Sequence, residues 1–155
     1  MHIETLARDP RVEFVEQPMP ASSSVTDLRW LKERSPLPIY ADESYQTAED
    51  AGICAEGFHG VNVKLIKTAG PSGAVEALKA ARTQGLRTMI GCMIETSICI
   101  SAAAQLADLA DHLDLDGNLL IDNDPFEGVR AQGGLLSFAG TQERHGLQVR
   151  PRQQL

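Results

Sequence analysis

The sequence predicts an α/β fold: a partial (β/α) TIM-type barrel of parallel strands. Three observations carry this. Short apolar, β-rich runs alternate with stretches of helical character. The C-terminal ends of those runs recur about every 25 residues, the length of one strand, one loop and one helix. Charged residues gather at those same ends. Such alternation implies parallel strands joined by right-handed crossovers. The chain has 155 residues, enough for one domain with a real core. A complete eight-fold barrel takes about 250, so the prediction is of an incomplete one.

The strands are expected at Val12–Glu16, Pro38–Asp42, Val61–Leu65, Arg87–Gly91 and His112–Asp116. Met1 to Arg8 reads as the end of a helix whose beginning is absent. Thr26 or Asp27 caps Leu28–Arg34, which Pro36 and Pro38 end. Thr47 with Asp50 forms a capping-box-like start to a helix that stops near Gly57. Ser72 opens a helix over Gly73–Gln84, with Gly85 at the position after its end. Thr96 or Ser97 opens the Ala-rich stretch Ile98–Ala110. From Gly133 the tail looks like short strands and turns rather than another βα unit. Nothing marks a second domain, so residues 1–155 read as one domain.

Composition narrows the function classes. Apolar residues make up 43% and charged residues 23%, as in an ordinary soluble globular protein. A formal net charge of −7 argues against nucleic acid as a partner. No apolar run approaches the roughly 20 residues of a membrane span, and no basic segment followed by an apolar one marks a secretory leader. Cys54, Cys92 and Cys99 contain no CxxC pair and read as buried, reduced cysteines of a cytoplasmic protein. His2, His59, His112 and His145 lack ligand spacing and read as non-catalytic. Gly70-Pro71-Ser72-Gly73 lacks the Walker lysine and reads as a loop entering a helix.

Parallel strands are buried on both faces, so charges should be scarce in them. Here four of five runs carry charge at the C-terminal end: Glu16; Asp42 and Glu43; Lys64; Asp114 and Asp116. That end is where (β/α) barrels build active sites. Glu16 and Asp42, from adjacent strands, offer hard oxygen ligands to a divalent ion such as Mg²⁺. A metal there polarises a substrate carboxylate. Lys64, facing a desolvated mouth, is expected to have its pKa lowered enough to act as a base. Asp114 and Asp116 should point the same way, since strand side chains alternate with period two, and they suit a substrate ammonium or guanidinium. Lys67 is expected to face loop or solvent.

Val15-Glu16-Gln17-Pro18, Ala41-Asp42-Glu43-Ser44 and Asn62-Val63-Lys64, in this order and spacing, resemble the enolase superfamily, muconate-lactonizing subgroup. Gly91-Cys92-Met93-Ile94-Glu95-Thr96 and Asp114-Leu115-Asp116 are similar to the dipeptide epimerases, of which L-Ala-D/L-Glu epimerase is the best-known type. The resemblance runs from about Val12 to about Gly140 and assigns the five strands to barrel strands four to eight. It implies that Glu16 and Asp42 are two of three Mg²⁺ ligands and that Lys64 is a catalytic lysine. It implies that Asp114 and Asp116 hold the dipeptide ammonium, and that Met93, Ile94 and Glu95 line the substrate pocket. The implied reaction removes the proton α to a carboxylate and returns it through an enediolate, with a second lysine on the opposite face.

Against that pattern, the capping domain, the first three strands, one base and one metal ligand are missing. The expectation is therefore a chain inactive alone, which forms a homo-oligomer or joins a complementing N-terminal chain. Other readings are another superfamily member, such as a cycloisomerase or o-succinylbenzoate synthase fragment, or a non-catalytic remnant. The aspartate pair disfavours the first of these, whose substrates lack an ammonium group.

Overall fold

A computed structural model describes residues 2–138 and 149–152 of the chain. Its centre is a parallel five-stranded sheet in the order β1-β2-β3-β4-β5. The strands are β1 (Val15–Glu16), β2 (Ile39–Ala41), β3 (Gly60–Val63), β4 (Arg87–Ile90) and β5 (His112–Leu113). Each lies within a run read from the sequence or overlaps it by all but one residue. The connecting helices are α2 (Val25–Arg34), α3 (Ala51–Gly57) and α4 (Pro71–Thr83), with α5 (Ser97–Ala104) between β4 and β5. The short α1 (His2–Leu6) precedes β1. The sheet curls into a half-barrel with helices, the partial barrel expected.

Local chemistry sets the helix boundaries and corrects three of the expected ones. Helix α2 starts earlier than expected because Ser24 is its cap: the Ser24 hydroxyl accepts the Asp27 backbone N–H at 3.1 Å. Helix α4 starts at Pro71, not Ser72. Proline is preorganised for the first helical position and needs no N–H there. Helix α5 stops at Ala104, and a separate 3₁₀ turn at Ala107–Leu109 leads into β5. The Thr47/Asp50 capping box forms as read, opening a 3₁₀ turn at Ala48–Asp50 that runs into α3. Gly85 adopts φ +75° just after α4, the left-handed conformation that ends helices.

Strand alternation divides the sheet into two unlike faces. Ile39, Ala41, Val61, Val63 and Ile90 point outward and pack with Phe58, Leu78 and Ile100 from the helical layer, all 0–1% exposed. The inner face carries Tyr40, Gly60, Asn62 and Met89. Gly60 is required there: a Cβ would lie 2.6–2.8 Å from three carbons of the Tyr40 ring. Tyr40 stacks on Phe14 at 4.3 Å, and Phe14 meets His112 at 5.0 Å across the inner face. The curl thus brings the two edge strands, β1 and β5, into side-chain contact.

The tail forms short antiparallel pairs, as expected. Strands β6 (Phe126–Glu127) and β9 (Arg150–Pro151) pair, as do β7 (Arg130–Gln132) and β8 (Leu135–Ser137). The remainder of the tail at 139–148 and 153–155, with His145, lies outside the described residues. The cysteine expectation holds only for Cys54: all three thiols are free, but Cys92 is half-buried and Cys99 exposed. His59 serves the fold, its Nδ1 accepting the Ile39 backbone N–H at 3.1 Å. No helix among the described residues is long and apolar enough to cross a membrane.

Candidate active site

The mouth of the half-barrel is built by the residues that leave the strand ends. Gln17 follows β1 with φ +38° and fastens that end to the next. Its side-chain oxygen accepts the backbone N–H groups of Asp42 at 2.9 Å and Ser44 at 3.2 Å. Its amide nitrogen donates to the Ser44 hydroxyl at 2.9 Å and the Met19 carbonyl at 2.8 Å. Gln17 therefore fixes Glu16 and Asp42 relative to each other. They border an open groove of about 530 Å³ with Pro18, Met19, Pro20, Ala21 and Glu43.

Lys64 joins this pair. Its Nζ donates to Asp42 Oδ2 at 2.7 Å. Lys67 joins it as well, which corrects the expectation that it faces loop or solvent. Its side chain is 12% exposed, and its Nζ lies 2.7 Å from Asp42 Oδ1. The turn after β3 explains this. Lys67 N–H and Thr68 N–H both bond back to the Lys64 carbonyl, reversing the chain and returning Lys67 over the strand end. On the other side, Asn62 donates from Nδ2 to Glu16 Oε1 at 2.6 Å and is 1% exposed. Its Oδ1 is buried with no hydrogen-bond partner among the described residues. Gly91 leaves room for that amide, since a Cβ there would lie 2.5 Å from it.

Charge and burial compete in this cluster. Burial, reinforced by the adjacent Asp42 carboxylate, holds the Glu16 carboxyl above its usual range, against the Asn62 hydrogen bond. Burial acts on Asp42 in the same direction, but the hydrogen bonds from Lys64 and Lys67 outweigh it and hold its carboxyl low. Burial pulls Lys64 down, yet its bond to Asp42 and the surrounding carboxylates win, so its pKa is raised. This corrects the expected lowering. A lysine bonded to a carboxylate holds its proton, so Lys64 must part from Asp42 before it can accept one. Lys67 is the lysine held below its usual value, by burial.

The remaining sequence-predicted residues lie around the rim. Asp114 follows β5, continues the ladder through its N–H to the Ile90 carbonyl at 2.9 Å, and borders a groove with Glu16, Met89 and His112. Burial and the charge of Asp116 raise its carboxyl pKa, and Lys64 opposes them. Asp114 and Asp116 together border a further cavity of about 590 Å³, with Leu119, Leu135 and Leu136. Asp116 lies past the strand, at the start of the 3₁₀ turn Gly117–Leu120. Cys92 Sγ sits 4.0 Å from Asp116 Oδ1. Met93 and Ile94 are exposed on the loop after β4. Glu95 is turned back on that loop, accepting the Met93 N–H at 2.8 Å. The loop rests on the next one: a Cβ at Gly117 would lie 2.0 Å from the Met93 carbonyl oxygen.

Glu16 and Asp42 thus stand side by side with hard oxygens facing a groove, a donor set that fits a Mg²⁺-like ion. No group of three or more His, Cys, Asp or Glu positioned for a metal occurs among the described residues. The sequence reading assigned no role to Gln17, Asn62 or Lys67. Asn62 was within reach, since it lies two residues before Lys64 and shares its strand face.

Comparison with known proteins identifies the family. Residues 2–152 match the enolase C-terminal domain-like family. The chain is 64% identical over 148 residues to an L-Ala-D/L-amino acid epimerase of Pedosphaera parvula, covering 96% of this chain and 43% of that protein. It is 42% identical to an L-Ala-D/L-Glu epimerase of Bacteroides thetaiotaomicron, covering 84% of this chain and 34% of that one. The chain therefore spans less than half the length of these relatives. Among solved structures, a substrate-liganded L-Ala-D/L-Glu epimerase from Bacillus subtilis superposes with TM-score 0.76 at 32% identity, covering 83% of this chain and 37% of that one. A dipeptide epimerase from Enterococcus faecalis, complexed with Mg and L-Leu-L-Tyr, gives 0.74 at 33%, covering 81% and 37%. On the family match and the identity to these relatives, this chain belongs to the enolase C-terminal domain-like family, and its relatives include dipeptide epimerases.

Proposed function

We propose that this chain forms the barrel portion, strands four to eight, of a Mg²⁺-dependent dipeptide epimerase. Its residues act as one incomplete enolase-type barrel domain. The observation that carries this reading is the convergence of Glu16, Asp42 and Lys64 at one strand-end mouth, with Lys64 bonded to Asp42. Glu16 and Asp42 hold the cation. When bound, it supplies positive charge to offset the negative charge that builds on the substrate carboxylate as the α-proton leaves. Lys64 moves that proton at one face of the α-carbon. Asp114 and Asp116 bind the dipeptide ammonium, and the exposed loop bearing Met93, Ile94 and Glu95 lines the pocket. The chain works in the cytoplasm.

Completion of the site calls for a partner, either a second copy or a separate N-terminal chain. Among the described residues, strands β1 and β5 have no partner on their outer edges, and Leu113 on the β5 edge is 42% exposed. Light scattering coupled to size exclusion should show association, and a well-behaved monomer with no affinity for an N-terminal chain overturns that part.

The activity test follows α-proton exchange of L-Ala-L-Glu in D₂O by NMR, with Mg²⁺. The chain alone should be silent. Mixing it with the N-terminal portion of the Pedosphaera parvula epimerase should restore exchange, and Lys64→Ala should abolish it. Exchange that survives Lys64→Ala, or activity of the chain alone, sinks the assignment.

A further inference from the structure

The two lysines at the mouth are bonded very differently. Lys67 Nζ donates to Asp42 Oδ1 at 2.7 Å, to the Asp42 carbonyl at 2.7 Å and to the Asn62 carbonyl at 2.9 Å. An ammonium has three N–H donors, so Lys67 has none left for a substrate. Two of its acceptors are main-chain carbonyls at the ends of neighbouring strands, so it is built into the backbone of the mouth. Lys64 makes one hydrogen bond among the described residues, to Asp42 Oδ2. Both side chains are nearly equally shielded, at 13% and 12% exposure. They differ in their bonding.

We propose that Lys67 is a positioning residue that permanently occupies Asp42 Oδ1, so that a divalent cation enters at Asp42 Oδ2 by displacing Lys64. This rests on the reading that Glu16 and Asp42 hold the cation. The proposal assigns opposite duties to two lysines three residues apart. Lys67 holds Asp42 at a fixed orientation, and through the Asn62 backbone it also braces the residue whose side chain holds Glu16. Lys64 is the exchangeable partner. Cation entry takes the place of the Lys64–Asp42 bond and frees the Lys64 side chain to move, because a single oxygen serves both.

The test is reductive methylation of the full chain with formaldehyde, with and without Mn²⁺, each lysine being read by tandem mass spectrometry. Mn²⁺ binding is followed in parallel by calorimetry. Mn²⁺ should speed Lys64 severalfold and leave Lys67 unchanged. In Lys67→Met, Mn²⁺ should no longer speed Lys64, because the vacated Oδ1 can keep Lys64 while Oδ2 takes the cation. Lys67→Arg should restore the response. Mn²⁺ that speeds Lys67 as much as Lys64, or Mn²⁺ binding that leaves Lys64 unchanged, overturns the division of duties. No Mn²⁺ binding at millimolar concentration, with the N-terminal portion of the Pedosphaera parvula epimerase also present, overturns the cation reading, and the exchange falls with it. The wild-type arms require no variant to fold.

Discussion

The two faces of one five-stranded sheet are built on different terms. The outer face is aliphatic and closed by helices, with Ile39, Val61, Val63 and Ile90 fully buried. The inner face is aromatic at its floor, where Phe14, Tyr40 and His112 meet. It is ionic at its mouth, where Asp42 lies between Lys64 and Lys67. Successive residues of the same strand serve the two faces in turn. The outer face is held by close packing, in which a change of even one methylene in volume is felt. The mouth is held by a few directional bonds among partly buried charges, which leave it able to exchange partners.

Three changes sharpen this contrast, taken from the largest expected effect down. Ile90→Ala removes a fully buried side chain from the outer core and should cost about 2–5 kcal/mol in denaturant unfolding. A cost below about 1 kcal/mol would show that the helical layer collapses onto the gap and that the outer face is loosely packed. Gly60→Ala tests the floor. The added methyl meets the Tyr40 ring, which Phe14 backs at 4.3 Å and which cannot retreat, so the cost should be about 1–3 kcal/mol. A neutral result would break the picture of a filled inner floor.

Asp42→Asn tests the mouth and should cost about 1.5 kcal/mol at neutral pH, through loss of charged hydrogen bonds. Its pH dependence carries a definite sign. The Asp42 carboxyl is held below its usual value by Lys64 and Lys67. Its contribution is therefore fully present above the ordinary carboxylate pKa of about 3.9 and is lost as pH falls through the folded value. The gap between wild type and variant should close in acid. A gap that stays constant with pH would mean that the ion pairs at the mouth contribute nothing to folding.

Much of this was legible in the residues. Apolar runs ending about every 25 residues gave the strands, since a βα unit has a narrow range of lengths. Thr47 with Asp50, and Gly85, marked helix ends through purely local bonding. Glu16, Asp42 and Lys64 were legible as a cluster because charge at the end of a buried strand is costly unless paired. Lys67 was misread because strand periodicity stops where β3 stops, and the turn that returns it to Asp42 depends on bonds to the Lys64 carbonyl. The Lys64 pKa was misread for a related reason. Burial can be anticipated from a strand position, but a partner 22 residues away cannot.

By itself, then, the amino-acid sequence determined the order of strands and helices, their approximate ends, and which residues reach the mouth. These follow from periodicity and from bonds between near neighbours. The tertiary structure alone decided which charges pair, which lysine is anchored and which is free to exchange, and how far the sheet curls. Those depend on distances between strands distant in sequence, set by how Tyr40 fits over Gly60 and how Gln17 ties the end of β1 to that of β2.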